Sequence, residues 1–128
     1  MKVLIDTHVL LWSIANNKQM RRRWIEILED TSNEIIVSIA SLWEIAIKVS
    51  TEKLELRYTL QELVERFVLS RGIKILQISV EHLDSLRQLP YHHRDPFDRL
   101  IIAQSIVEEL EVITVDPKFT PYEISIIP

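Results

Sequence analysis

Four acidic residues stand at positions where their carboxylates could act together. Asp6 follows the apolar run KVLI, Asp116 follows VITV, Glu44 lies within SIASLWEIAIKV, and Asp98 lies within HHRDPFDRLIIAQ. Parallel strands bring their carboxyl ends to one edge of a sheet, so the two strand-end aspartates are expected to border one crevice. Four carboxylates gathered there would raise one another's pKa unless a cation neutralised them. Hard oxygen ligands select Mg²⁺ or Mn²⁺, and such a site suits hydrolysis of a phosphodiester.

Three of these acids also have a plainer explanation. Asp6 and Asp116 could each cap the helix or turn that follows its strand. Glu44 could form an exposed pair with Lys48, four residues later, worth only about 0.2–0.5 kcal/mol. We favour a functional Glu44, because apolar residues surround it on almost every side of the predicted helix and a buried carboxylate is costly.

The stretch HHRDPFDRLIIAQ predicts a helix start with two different acids. Asp95 suits the N-cap, Pro96 the first helical position, and Asp98 the third, close to a capping box. Asp98 also shares a helical face with Ile101 and Ile102, so its side chain is expected to point partly inward. We therefore predict that Asp95 caps the helix and that Asp98 belongs to the site.

Strands that alternate with helices must position these acids. Strands are predicted at 2–5, 35–37, 73–78 and 112–115, with an edge strand at 124–127. Helices are predicted at 9–15, 20–29, about 38–49, 60–68, 80–89 and 97–110, with Ser38 or Ser41 as one N-cap and Gly72 as a C-cap. This alternation predicts an α/β sandwich with a mostly parallel sheet.

Composition narrows the class of protein further. The 128 residues, 47% of them hydrophobic, predict one globular domain over 1–128. The absence of cysteine excludes disulfides and thiolate metal sites and favours an intracellular location. The single glycine excludes a Gly-rich phosphate-binding loop, and no apolar run is long enough for a membrane span. A net charge of −4 argues against tight, purely charge-driven binding of nucleic acid.

Four blocks of the sequence carry a family resemblance: VLIDTHVLLW, VSIASLWEIAIK, HHRDPFDRLIIAQ and VITVDPKF. In order and spacing they resemble the PIN-domain ribonucleases of the VapC toxin type, over nearly the whole chain. The resemblance implies a three-layer α/β/α fold and a cytoplasmic prokaryotic toxin, usually a homodimer. It also implies endoribonuclease activity that depends on Mg²⁺ or Mn²⁺ and is blocked by a cognate antitoxin.

The same resemblance assigns residues. It places the catalytic, metal-binding acids at Asp6, Glu44, Asp98 and Asp116, with the hydroxyls of Thr7 and Thr114 bordering them and Asp95 and Arg99 in the matched block DPFDR. One departure is visible, because Ser50, Thr51 and Glu52 stand where relatives often have a glycine after the helix. That departure concerns the local turn rather than the site.

Two basic groups are candidates for contacts with RNA phosphates. They are Lys18, Arg21, Arg22 and Arg23 in one group, and His92, His93 and Arg94 in the other. A solvated helix face explains the first group equally well. The adjacent histidines invite a zinc site, but the neighbouring residues lack zinc-ligand spacing.

Two other functions compete with the ribonuclease. A phosphatase that uses Asp6 as its nucleophile would usually need a second acid two residues later, where this chain has His8. A catalytically silent PIN domain could act as a protein-binding module, although the presence of all four acids argues against it.

Overall fold

The computed structural model describes residues 1–128 and contains a central sheet of four strands. The strands are β1 (Lys2–Ile5), β2 (Glu34–Ser38), β3 (Lys74–Leu76) and β4 (Glu111–Ile113). All of them are parallel, and their order across the sheet is β3-β2-β1-β4. The residues that follow the two central strands, β1 and β2, therefore meet those that follow β4 at one edge of the sheet.

Six α-helices connect the strands. They are α1 (Thr7–Ala15), α2 (Arg22–Glu29), α3 (Ile39–Ser50), α4 (Leu60–Val64), α5 (Val80–Gln88) and α6 (Pro96–Val107). A π-helical segment at Glu65–Leu69 continues α4, and a 3₁₀ turn at Pro117–Phe119 follows β4. None of the helices is long and apolar enough to cross a membrane.

Apolar side chains cover both faces of the sheet, so helices pack on both sides. Val3 and Ile5 of β1 belong to a core with α1, α2 and α4, whereas Leu4 belongs to a second core with α6. Alternation along a strand sends neighbouring side chains to opposite faces, and a sheet buried on both faces has apolar residues throughout. The predicted three-layer α/β/α arrangement with a parallel sheet is confirmed.

The predicted edge strand at 124–127 is wrong in extent. Only Ile126 forms a bridge to β4, opposite Val112. The backbone N–H of Val112 donates to the carbonyl of Ser125, and the carbonyl of Val112 accepts from the N–H of Ile127. Pro128 follows and has no N–H with which to extend the ladder. The third strand is also shorter than predicted.

Helix α3 differs from its predicted surroundings on one side. It was expected to be buried on almost every side, yet Trp43 is 55% exposed and Ile47 39%. The ring of Trp43 packs edge-on against Phe97 of α6, with the ring centroids 4.9 Å apart. Glu44 faces the other way and is buried. The burial argument for Glu44 thus holds for its own face of the helix only.

Four residues have the left-handed backbone conformation, and two of them, Glu52 and Gly72, lie in turns that the sequence singled out. Gly72, the predicted C-cap, has φ of +73° just after the π-helical segment. Glu52 has φ of +59° in the turn after α3. This conformation is unfavourable for a residue with a Cβ atom, so the turn at Glu52 is strained, while α3 itself is intact up to Ser50.

Candidate metal centre

Asp6 lies between β1 and α1 and serves both the helix and the crevice. Its Oδ1 accepts a hydrogen bond of 2.8 Å from the backbone N–H of Val9, which makes it the N-cap of α1. Its Oδ2 accepts one of 2.5 Å from the hydroxyl of Thr114. The carboxyl group is almost completely buried, and burial raises its pKa although both hydrogen bonds oppose that shift. The plain and the functional explanations of Asp6 are therefore compatible.

Glu44 projects from α3 and is held by two neighbours. The hydroxyl of Thr7 donates to Oε1 at 2.7 Å, and the ammonium group of Lys48 lies 2.9 Å from Oε2. The i,i+4 pair that the sequence suggested does form, but Glu44 is only 7% exposed, so this is not a pair of solvated side chains. Sequence reasoning treated Lys48 only as an alternative to function and missed that it neutralises a buried site acid.

The two aspartates at the start of α6 divide their tasks. Asp95 is the N-cap, because its Oδ1 accepts a hydrogen bond of 3.0 Å from the backbone N–H of Asp98, and Pro96 takes the first helical position. The predicted cap is confirmed. The carboxylate of Asp98 does not complete a capping box; instead its Oδ2 lies 3.3 Å from Nε2 of His93.

The surroundings of Asp98 disfavour the ionised form of its carboxyl group. Burial and, to a lesser extent, repulsion by four other acids together raise the pKa of its carboxyl group from 3.8 to about 7. These acids are Asp95, Asp116, Glu44 and Asp6. All four residues of the predicted quartet are therefore close enough to influence one titration.

Asp116 follows β4 and is half-buried. Its Oδ1 accepts a hydrogen bond of 2.9 Å from the backbone N–H of Lys118, which starts the 3₁₀ turn. Its own backbone N–H donates to the hydroxyl of Thr114 at 3.0 Å. Thr114 thus links Asp116 to Asp6, and the hydroxyl that was expected to border the acids touches two of them.

The chemistry of these donors fits a hard divalent cation, although their spacing leaves them unassembled. They offer carboxylate oxygens with hydroxyl support, which is the ligand type that Mg²⁺ and Mn²⁺ prefer. No group of three or more His, Asp or Glu side chains lies close enough to hold one ion. Because like charges repel at short range, the carboxylates stay apart, and each accepts a hydrogen bond from a protein group instead of sharing an ion. The buried hydroxyl of Ser41, one turn before Glu44 on α3, has no hydrogen-bond partner.

Arg99 supports the loop before α6 rather than the acids themselves. The buried guanidinium donates to the carbonyl of Pro90 at 2.8 Å, to that of Leu89 at 3.3 Å and to the hydroxyl of Tyr122 at 3.1 Å. It also lies 4.0 Å from the centre of the Tyr91 ring. Arg99 contacts none of the four acids, so its place in the matched block reflects loop anchoring.

The basic group near α2 faces solvent. Arg22 pairs with Glu26, four residues later, and both side chains are exposed. The guanidinium of Arg21 lies 4.6 Å from the centre of the Trp24 ring, and Arg23 is exposed. None of these arginines contacts a site acid, and their binding to RNA stays a prediction.

The second basic group lies beside Asp98, and its members differ in exposure. His92 and Arg94 are exposed, whereas the side chain of His93 is only 10% exposed. Both ring nitrogens of His93 are occupied, Nδ1 by the hydroxyl of Tyr122 at 2.9 Å and Nε2 by Asp98. Burial lowers the pKa of His93. The sequence offered no signal for Tyr122, which lies 29 positions after His93.

A groove on another part of the protein lies apart from the acids. This groove of about 670 Å³ runs between α1, α2 and the π-helical segment. Trp12, Met20, Ile25, Phe67 and Arg71 are among the residues that line it, and no member of the quartet is. The groove is therefore separate from the acids, which lie at the C-terminal ends of the strands.

Comparison with known proteins identifies the family. A comparison with curated protein sequences gave no match. Similar solved structures include VapBC2 from Rickettsia felis bound to a promoter DNA fragment, with TM-score 0.77, 22% identity, and 99% of this chain and 98% of that chain covered. DNA-bound VapBC from Salmonella typhimurium has TM-score 0.72, 20% identity and coverage of 99% and 97%. A toxin–antitoxin complex from Klebsiella pneumoniae has TM-score 0.64, 22% identity and coverage of 98% and 96%.

At these identities the structural likeness concerns the fold. The family model of the PIN domain matches residues 3–123, a range that includes all four acids of the crevice. The chain belongs to the PIN domain family.

Proposed function

We propose that the chain is the toxin of a type II toxin–antitoxin pair, a VapC-type endoribonuclease that depends on Mg²⁺ or Mn²⁺. Membership of the PIN family supports a nuclease. Similar folds occur in solved toxin–antitoxin complexes, which supports the toxin assignment. The observation that carries the proposal is the position of Asp98, which is partly buried and near Asp95, Asp116, Glu44 and Asp6: burial and the neighbouring acids raise its pKa, as expected of a cation site without its cation.

In this proposal Asp6, Glu44, Asp98 and Asp116 hold the cation. When bound, a divalent cation lowers the pKa of a water molecule and balances the charge that develops at phosphorus during hydrolysis. The chain itself positions the carboxylates: Thr114 holds Asp6, and Thr7 holds Glu44. Burial of Asp6 and Glu44 keeps their charges poorly solvated, which strengthens their attraction to a cation.

The proposal includes partners and context. A cognate antitoxin would inhibit the enzyme, RNA would be its substrate, and the active form would be a cytoplasmic homodimer built from one PIN domain per chain. The antitoxin can be sought as a small reading frame immediately upstream. Co-expression of that product should relieve growth arrest, and arrest that persists despite a stable complex would contradict its role.

A catalytically silent PIN domain that binds another protein is the second candidate. Two observations favour it: no three carboxylates lie within reach of one ion, and Lys48 already neutralises Glu44. Calorimetric titration with Mn²⁺ separates the two candidates. Absence of binding at millimolar Mn²⁺ would favour the silent module. The phosphatase that would use Asp6 has no support in the family match, and a trapped phosphoaspartate would be needed to revive it.

Cleavage of RNA by purified protein tests the nuclease. The wild type should cut RNA with Mg²⁺ or Mn²⁺ and lose activity with a chelator, and both Asp6→Asn and Asp98→Asn should be inactive. Asp84→Asn is the matched control, because Asp84 is an exposed acid on α5 that pairs with Arg87. Equal cleavage by the wild type and both site variants would show that the activity does not arise at these acids.

A further inference from the structure

Behind Asp98 lies a chain of hydrogen bonds between buried or nearly buried side chains. The guanidinium of Arg99 donates to the hydroxyl oxygen of Tyr122 at 3.1 Å. That hydroxyl lies 2.9 Å from Nδ1 of His93, and Nε2 of His93 lies 3.3 Å from Oδ2 of Asp98. Tyr122 and Arg99 are each 4% exposed. The chain therefore runs through the protein interior and ends on an acid of the crevice.

The donors and acceptors fix the direction of this chain. A guanidinium can only donate, so it occupies a lone pair of the Tyr122 oxygen. The backbone N–H of His93 points at the same oxygen, at 3.4 Å. The hydroxyl hydrogen is then free to bond Nδ1 of His93, which must accept it. A neutral imidazole that accepts at Nδ1 carries its proton on Nε2, where it donates to Asp98.

We propose that Tyr122 and His93 are positioning residues that orient the carboxylate of Asp98 for cation binding. This inference rests on the proposed metal-dependent function. Each of the other three site acids already receives a donor from a hydroxyl or a backbone N–H next to it. Asp98 receives no such local donor, and the relay from Arg99 through Tyr122 and His93 supplies one. Such outer partners commonly change metal affinity by about 10–100-fold.

Packing alone does not account for the arrangement. Tyr122 belongs to the apolar core on the α6 side of the sheet, where a phenylalanine would fill the same space. A buried phenol needs a hydrogen-bond partner, and this one has partners on both sides of a path that leads to Asp98. Arg99 anchors the loop that carries His93, so the same guanidinium fixes both the loop and the hydroxyl.

The first test removes one hydroxyl and leaves the ring. Tyr122→Phe should weaken Mn²⁺ binding, measured by calorimetry, about tenfold or more. In ¹⁵N-detected NMR of the metal-free protein, the wild type should show His93 as the Nε2–H tautomer, and Tyr122→Phe should shift it toward a tautomer mixture. Tyr58→Phe is the matched control: its ring packs against Phe67 in the core on the other face of the sheet, so loss of its hydroxyl should change neither readout.

A second pair of variants separates orientation from loss of bulk. His93→Gln keeps an N–H donor and should recover part of the Mn²⁺ affinity that His93→Ala loses. Wild-type affinity in Tyr122→Phe and His93→Ala would overturn the relay, and so would an unchanged His93 tautomer in Tyr122→Phe. Failure of the wild type itself to bind Mn²⁺ would instead overturn the proposed function, so the two failures are distinguishable.

Discussion

Two histidines in this fold lie against carboxylates, and their surroundings differ. His82 of α5 is 1% exposed; its Nδ1 accepts from the backbone N–H of Ser79 at 3.0 Å, and its Nε2 lies 2.7 Å from Glu108. The amide of Gln104, also within 3.4 Å of Nδ1, accepts in turn from the hydroxyl of Ser38 at the start of α3. We call these five residues the α5–α6 network.

The crevice around His93 has the opposite balance of charge. The network contains one carboxylate, Glu108, whose side chain is 41% exposed and can be solvated. His93 instead meets Asp98, which is itself surrounded by four other acids. In both regions nearly all of the polar groups are hydrogen-bonded, but only in the crevice do several buried or half-buried carboxylates lie near one another. The α5–α6 network is complete as it stands, whereas the buried carboxylates of the crevice are what the proposed cation would neutralise.

The largest difference between the two regions should appear in catalysis. Asp98→Asn should lower metal-dependent RNA cleavage by about a thousandfold, because a neutral amide is a poor ligand for a cation that supplies several kcal/mol. Glu108→Gln, the matched change in the network, should leave cleavage within about threefold, since the effect of one exposed carboxylate on the site is small. A comparable loss in both variants would remove the distinction between them.

The order should reverse for stability. His82→Ala should lower the free energy of unfolding by about 3 kcal/mol, because it opens a cavity and leaves buried groups of α5 and α6 without a partner. His93→Ala should lower the free energy of unfolding by less, because part of the His93 ring contacts solvent and its removal disrupts no interface between packed helices. Urea unfolding of the metal-free proteins measures both. A larger loss in His93→Ala would show that the crevice is the structural element.

The pH dependence of stability should differ in sign from that of an ordinary salt bridge. Because the pKa of Asp98 is raised from 3.8 to about 7 in the folded chain, the unfolded chain loses this proton first as the pH rises. The penalty is absent below about pH 4 and complete above about pH 7. Asp98→Asn should therefore match the wild type at pH 4 and exceed it by about 2 kcal/mol at pH 7, half the full shift because the carboxyl group keeps some solvent contact.

Two results complete that pH experiment. Saturating Mn²⁺ at pH 7 should stabilise the wild type, by about 2.7 kcal/mol at a hundred times the dissociation constant, and should leave Asp98→Asn nearly unchanged. If Asp98→Asn and the wild type differ in stability by the same amount at pH 4 and pH 7, the pKa of Asp98 is not raised in the folded state.

The smallest effect is expected at Lys48, whose ammonium group lies beside Glu44. Lys48→Met should lower the free energy of unfolding by about 1 kcal/mol, more than for a fully exposed pair because Glu44 is buried, and less than for a fully buried pair because Lys48 is partly exposed. Mn²⁺ affinity should rise about two- to threefold, since the ammonium no longer competes for Glu44. Calorimetry at low ionic strength measures this change. Weaker Mn²⁺ binding in Lys48→Met would show that the ammonium supports the site instead.

Much of this architecture follows from local sequence. The run KVLI and the first two residues of VITV lie in strands because their apolar side chains are buried on the two faces of the sheet, and parallel strands bring Asp6 and Asp116 to one edge. Asp95 and Pro96 begin α6 because their side chains satisfy the first turn, which is a short-range rule. These features depend on neighbours within a few positions, so the sequence determines them directly.

What the sequence could not show depends on contacts between distant segments. Tyr122 reaches His93 and Arg99 only after the chain has folded around the sheet, and nothing near it in the sequence resembles a site. Glu44 is both buried and paired with Lys48, whereas helical spacing alone suggested that it would be one or the other. Arg99 has the position of a site residue, but its direction toward the loop carbonyls is decided by tertiary packing.

The double use of Asp6 has an evolutionary consequence. Asparagine at this position would still offer a carbonyl oxygen to the N–H of Val9, so α1 would keep its start while the crevice lost a charge. Aspartate and asparagine codons differ by a single base. If the proposed function holds, a folded but inactive descendant is one mutation away, and the activity can be lost while the fold is kept.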